Sequence, residues 1–298
     1  MEKDFSIEKY TQIGDFGIII LVSVEKIFPL TLTCDLWLVT VVSGVNDQLT
    51  DTPDALDALK RSLCSVQQVA DQGAVKILPE PGSPDVYLDF NKRLGENLDW
   101  KNKIAETMLL YPDFVSAEDE QSLMKELEPY LSRLHYETSH WDDAIHHYRE
   151  TERSKWNKNN EGIINRVRRL AFPPNVSPLK LVHVLDLAKN GVIKPHVDSV
   201  RFCGTTIAGI SLLSSSIMRL RLEEDKEVYC DVLLPRFSLY VMKDYARFKY
   251  THEIMSETES SFKGELVPRD RRVSIICRNE PASGDASTND IFEEIRLL

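Results

Sequence analysis

A chain of 298 residues and 34.1 kDa, 42% hydrophobic and 28% charged, has material for one good-sized core or two small ones. Its net charge of -11 argues against a general electrostatic grip on nucleic acid, although residues 180–280 are near neutral, with 16 basic against 14 acidic side chains. Five cysteines, an odd number without a Cys-x-x-Cys, argue against a disulfide framework and read as reduced, mostly buried thiols.

Residues 1–15 contain no Arg and several acids, so they do not read as an amphipathic, Arg-rich mitochondrial presequence. Residues 16–46 are the most apolar stretch of the chain. Glu25, Lys26, Pro29 and Asp35 interrupt it, so no membrane span is expected, and its β-branched residues suit strands as well as helix. Asp51-Thr52-Pro53-Asp54 reads as a helix start, followed by Leu56, Leu59, Leu63 and Val66 at helical spacing. Pro79-Glu80-Pro81-Gly82-Ser83-Pro84 is a turn-rich linker. These features set residues 1–95 apart as an N-terminal extension of uncertain fold, with a main domain over 96–281 and a tail over 282–298.

Within the main domain, residues 111–172 form a helical lead-in. Ser116 and Asp119 predict a capped helix over 116–134 with Leu123, Leu127, Leu131 and Leu134 on one face and a kink at Pro129. His135, His140, His146 and His147 lie near Asp142, Asp143 and Glu150. They have no clean metal-ligand spacing, so they read as a polar face or cleft rim. Arg166, Arg168 and Arg169 read as a solvated basic face. From Val182 to Cys277, eight short apolar runs alternate with turn residues such as Asn190-Gly191 and Ser214-Ser215-Ser216. That pattern predicts a mainly β domain with flanking helices (α+β), its core at 180–281 a two-sheet jelly roll.

Lys194-Pro195-His196-Val197-Asp198 puts an imidazole and a carboxylate two residues apart, on one face if the segment is extended. His252 is the best third ligand. Two histidines and one carboxylate make the facial triad of non-heme Fe(II) oxygenases, with positions left open for other ligands. Further on, Arg272, Ser274, Ile276 and Arg278 share one face of a strand, with Val273, Ile275 and Cys277 on the other. Two inward guanidiniums are costly unless they meet anions, and a dicarboxylate co-substrate would supply them.

His-x-Asp, a later His and then Arg-x5-Arg resembles the AlkB family of Fe(II)/2-oxoglutarate dioxygenases. His183-Val184-Leu185-Asp186-Leu187, Phe202-Cys203-Gly204, Thr206 to Gly209, Ser238-Leu239-Tyr240 and His140-Trp141-Asp142 extend the likeness, chiefly to the mitochondrial branch, over roughly residues 111–281. The resemblance implies a double-stranded β-helix, the jelly roll under another name. It implies Fe(II) on His196, Asp198 and His252, with 2-oxoglutarate and O2 as co-substrates. Tyr240, Arg272 and Arg278 match the family's co-substrate positions, and His183 is a further candidate on its strand. It also implies oxidative decarboxylation of 2-oxoglutarate to succinate, coupled to hydroxylation or, at an N-methyl carbon, demethylation. The mitochondrial branch carries associations with alkylation-induced programmed necrosis, fatty-acid metabolism and mitochondrial tRNA methylation, and implies a matrix location. The N-terminus as given departs from that location.

The region before the triad lacks an aromatic, basic lid, so stable duplex-DNA binding is not expected. That leaves protein or small-molecule hydroxylation, or demethylation of a structured RNA whose own shape presents the base; the chain is expected to be a monomer acting on a protein or structured RNA substrate. A non-catalytic jelly-roll scaffold acting through protein partners and a cupin-like metal protein with other chemistry are the competing readings.

Overall fold

The computed structural model describes residues 79–281 in full and, before them, the backbone of three strands. The chain divides into two units, Met1–Ile77 and Leu78–Leu298. In the first, β1 (Tyr10–Gln12), β2 (Ile19–Lys26) and β3 (Trp37–Ser43) form an antiparallel sheet in that order. The apolar stretch is thus strand where it is described. The helix expected from Asp51 onward and the tail after 281 lie outside the described residues. Among the described residues, no helix is long and apolar enough to cross a membrane.

The second unit starts earlier than expected. α1 (Pro84–Tyr87), β4 (Leu88–Phe90) and α2 (Lys92–Gly95) belong to it, because β4 pairs with a strand of the main sheet and Tyr87, Leu88 and Leu94 are buried in the core. The boundary drawn at 95 therefore moves to Leu78. α3 (Leu98–Thr107) and β5 (Met108–Tyr111) follow. α4 (Ala117–Leu131) starts at the expected capping box: Ser116 accepts from the Asp119 N–H, and Asp119 accepts from the Ser116 N–H. Leu123, Leu127 and Leu131 are fully buried, but the helix ends there, and Leu134 is exposed.

After β6 (Glu137–Ser139) and β7 (Ile145–Arg153) comes α5 (Lys158–Ala171). Its cap is Asn157, and it buries Ile163, Ile164, Val167 and Ala171. Arg166 and Arg168 are not simply solvated. They donate to the Phe114 carbonyl and to the Leu179 and Lys180 carbonyls, tying α5 to its neighbours.

The remaining strands build the roll: β8 (Val182–His196), β9 (Thr206–Leu212), β10 (Ser216–Leu222), β11 (Tyr229–Leu234) and β12 (Leu239–Lys243). α6 (Asp244–Lys249), β13 (Tyr250–Ile254), a two-strand ribbon of β14 (Ser261–Phe262) and β15 (Glu265–Leu266), and β16 (Arg272–Arg278) complete it. The main sheet is antiparallel and curled, in the order β4-β11-β10-β13-β8-β16-β9-β12-β5, with β7 also along β8. This is the jelly roll the strand pattern predicted.

One expected turn is folded into a strand. β8 carries Asn190-Gly191 within a bulge: its pairing with β7 steps from Leu187 opposite Tyr148 to Val192 opposite His146, so the residues between them on β8 stand against His147 alone. A Cβ at Gly191 would come within 2.8 Å of the His147 carbonyl, so this crossing needs a residue without a side chain.

Alternation along each strand separates two cores. Ala208, Ile210, Leu212, Leu239, Val241, Val273, Ile275 and Cys277 face outward beneath α4 and α5. The alternate residues Ile207, Tyr240, Arg272, Ser274, Ile276 and Arg278 line the interior of the roll. On the outer side, Asp186 is wholly buried and accepts from Arg149 at 2.7 Å, Arg271 at 2.8 Å and Tyr136 at 3.0 Å. Those bonds knit β7, β8 and the lead into β16 together.

Candidate metal centre and co-substrate pocket

Two strands bring the histidines together. His252 on β13 lies directly opposite His196 on β8, with ring centroids 4.3 Å apart. β8 ends at His196, so Asp198 sits in the extended segment just beyond the strand and not on it. Its Oδ1 nonetheless lies 3.4 Å from His196 Nε2 and 3.6 Å from His252 Nε2. Among the described residues, these three form the one His/Cys/Asp/Glu group whose ligand atoms all fall within 4.8 Å of one another.

Neighbouring bonds prepare each group. His196 Nδ1–H donates to the Lys194 carbonyl at 2.8 Å, which fixes the ring with Nε2 turned toward Asp198. Arg278 holds Asp198 Oδ2 at 3.0 Å, so one carboxylate oxygen is tied back and the other faces the histidines. Burial works against the Asp198 charge, but the His196 hydrogen bond and the Arg278 charge hold its carboxyl well below the ordinary range. Burial, together with the nearby His196, pushes His252 down to about 3, so it stands as a neutral imidazole, the ligating form. Two neutral-capable nitrogens and one anionic oxygen on one side of a cavity suit a ferrous ion.

A pocket opens beside this group, lined by Tyr240, Arg272, Ser274 and Arg278 and walled by apolar Leu185, Ile193, Met218 and Ile254. Arg272 is 2% exposed, and among the described residues no carboxylate pairs with it. Its Nη2 donates to Ser211 Oγ at 3.1 Å, and its Nε has no partner. Burial pushes this guanidinium down to about 10. Ser274 Oγ and Arg278 Nε are also buried without partners on the same wall. Three orphaned polar groups on one strand face are expensive unless a polar ligand meets them. Tyr240 is on the adjoining wall, its hydroxyl pushed upward chiefly by burial. Its ring packs against Gly209, where any Cβ would overlap it.

His183 faces the same pocket, opposite Ile276 on β16 and diagonal to Arg278, so it stands at the Arg278 end and away from Arg272. Its Nε2 is 2.8 Å from Glu150, which holds the ring in place and leaves a buried, unpartnered Nδ1. Glu150 lies among the residues read from sequence as a cleft rim, and its contact with a pocket histidine was not anticipated. Asp186 and Arg247 were also missed. The signal for each was a charged residue within an apolar or aromatic run: Val-Leu-Asp-Leu and Tyr-Ala-Arg-Phe. His140 pairs with Asp142 at 2.6 Å and His146 with Asp143 at 3.0 Å; neither joins a second metal-type group among the described residues.

Residues 131–278 match the family described as the 2OG-Fe(II) oxygenase superfamily. The chain is similar to a mouse (Mus musculus) protein named alpha-ketoglutarate-dependent dioxygenase alkB homolog 7, mitochondrial. They are 49% identical over 179 residues, 60% of this chain and 81% of that one. The protein of the same name from Bos taurus is 46% identical over 180 residues, with the same coverage. A solved structure described as OsALKBH1 covers 58% of this chain and 97% of its own, at 13% identity and a TM-score of 0.43.

Proposed function

Because the chain belongs to the 2OG-Fe(II) oxygenase superfamily, in its AlkB-like branch, we propose that His196, Asp198 and His252 hold its iron and that the pocket beside them takes 2-oxoglutarate. The family uses Fe(II), 2-oxoglutarate and O2, and the chain is a dioxygenase. The observation that carries the residue assignment is Asp198 Oδ1 facing both imidazole Nε2 atoms, next to a buried Arg272 without an anion.

Bound iron supplies the activation of O2, coupled to decarboxylation of the keto acid. The side chains do the rest. Arg272 binds the distal carboxylate of 2-oxoglutarate through its fork, and Tyr240 adds a phenolic hydrogen bond to the same group. Arg278 fixes Asp198 and offers its remaining donors to the metal-proximal end of the co-substrate. His183, clamped by Glu150, is the other polar contact at that end. Leu185, Ile193, Met218 and Ile254 exclude water from the space between them.

The finer reading follows the likeness. The reaction is hydroxylation or N-demethylation of a protein or a structured RNA by a monomer in the mitochondrial matrix. Its output serves alkylation-induced necrosis, fatty-acid metabolism or mitochondrial tRNA demethylation. Succinate release tests the whole reading. The wild-type chain is incubated with Fe(II), 2-oxoglutarate and, in turn, methylated mitochondrial tRNA, oligonucleotides and mitochondrial protein extract. Turnover stimulated by one substrate and abolished in Asp198→Ala supports it. Turnover that survives Asp198→Ala removes it.

A further inference from the structure

We propose that Arg247 is the positioning residue of the metal centre, holding the loop that carries Asp198 in register with the strand that carries His252; this rests on the metal-centre reading above. Arg247 is on α6, which joins β12 to β13 and ends three residues before His252. It is 1% exposed, among the most completely buried large side chains of the second unit. A guanidinium stays charged at neutral pH, so burying one demands acceptors. Among the described residues, no carboxylate lies within ion-pair distance of it.

Its acceptors lie in one place instead. Nε donates to the Gly204 carbonyl at 2.8 Å, and Nη2 to the Asp198 carbonyl at 3.0 Å and the Cys203 carbonyl at 3.3 Å, with Cys203 Sγ at 3.4 Å. Phe248 covers the guanidinium, its ring centroid 4.6 Å away. The loop from 198 to 204 has left β8, so no strand ladder fixes Asp198. Arg278 holds its carboxylate from one side, and Arg247 holds its backbone from the other. A single planar fork thus spans both ends of the loop and links it to the segment that delivers His252. A lysine cannot do this, because its compact ammonium cannot reach three carbonyls set out along a loop.

Side chains that orient a metal ligand from behind change metal affinity by about 10- to 100-fold when removed. The test is Co(II) binding to the full chain, followed by its visible absorption, alongside thermal melting of the metal-free protein. Arg247→Met and Arg247→Lys are compared with Arg149→Met, which breaks the Asp186 cluster on the outer face and serves as a control for stability loss alone. The proposal expects Arg247→Met to bind Co(II) at least about tenfold more weakly, Arg247→Lys to fall between it and wild type, and Arg149→Met to melt earlier with wild-type Co(II) affinity. It is overturned if Arg247→Met binds Co(II) like wild type, if Arg149→Met loses affinity to the same degree, or if neither Arg247 variant folds. Failure of the wild-type chain to bind Co(II) would instead remove the metal-centre reading itself.

Discussion

Arg278 donates to Oδ2 of Asp198 at 3.0 Å and thereby leaves Oδ1 alone facing the two imidazoles. The sequence reading put Arg278 at the co-substrate; the structure adds a bond to the carboxylate of the triad. One side chain in contact with both ends of the site should couple them. Arg278→Met is expected to weaken Mn(II) binding by about 10-fold or more and 2-oxoglutarate binding as well. Isothermal titration of each ligand in turn checks this, and loss of only one would separate the two roles.

Arg272 stands in a different position. Burial lowers its pKa from the free value to about 10, so the unfolded chain holds this proton more tightly than the folded one. The sign follows: below about 10 the ligand-free fold carries the cost of a buried, unpaired charge, and that cost is relieved only as pH rises from there toward the ordinary arginine value. Arg272→Met is therefore expected to leave the ligand-free melting temperature at pH 7 unchanged or raised. It should weaken 2-oxoglutarate binding by at least about 30-fold, the loss that follows from truncating one member of a buried charge pair. A large fall in the ligand-free melting temperature would show that Arg272 is already satisfied in the fold.

Tyr240 needs the bare backbone of Gly209 beneath its ring. Gly209→Ala must displace an aromatic ring that is itself packed in the interior, so both stability and co-substrate affinity should fall. Tyr240→Phe keeps the packing and should cost only one hydrogen bond, about 1 kcal/mol or roughly fivefold in 2-oxoglutarate affinity. Measuring both separates the hydroxyl from the ring.

Asp186 is a structural counterpart to the site, buried on the opposite face of β8 between Arg149 and Arg271. Removing it leaves Arg149, 11% exposed, with the Leu134 carbonyl and a distant Glu128, and leaves Arg271 with Glu128 alone. Asp186→Ala should destabilise the fold by about 3–5 kcal/mol in urea unfolding, while the folded fraction keeps its metal affinity.

The site was legible in the sequence where chemistry and period coincide. The strict alternation of Arg272, Ser274, Ile276 and Arg278 with Val273, Ile275 and Cys277 needs only the pleat to sort it into pocket and core. The Ser116–Asp119 cap of α4 was readable for a similar reason: its partners are three residues apart. Features that depend on a distant partner were not. Asn190-Gly191 carries a turn signal, yet β8 continues, because the surplus residues bulge out of β8 opposite His147 and the pairing with β7 resumes on either side. α5 has only a narrow apolar face, Ile163, Ile164, Val167 and Ala171, among many polar residues, and its helical period was lost among the histidines and charges before it. Arg247 sits in a short helix, and nothing local indicates that it reaches a loop more than forty residues away.

The start of the second unit was misplaced because β4 is three residues long and is recognisable only through its pairing with β11. This has a direct consequence. A chain beginning near Tyr111 lacks β4 and the buried Tyr87, Leu94 and Ile104. It should be insoluble, whereas a chain beginning at Leu78 should be soluble and bind 2-oxoglutarate. Comparing the two in the soluble fraction decides the boundary.

The central claim is that three side chains hold one ferrous ion while Arg272 anchors the keto acid beside it. Anaerobic Fe(II) titration in the presence of 2-oxoglutarate reads both at once, because chelation of the keto acid to iron produces a visible charge-transfer absorption. The account predicts saturation at one iron per chain, no band in Asp198→Ala at any iron concentration, and in Arg272→Met a band that needs far more 2-oxoglutarate. A band of wild-type strength in Asp198→Ala, or one indifferent to Arg272, would contradict it.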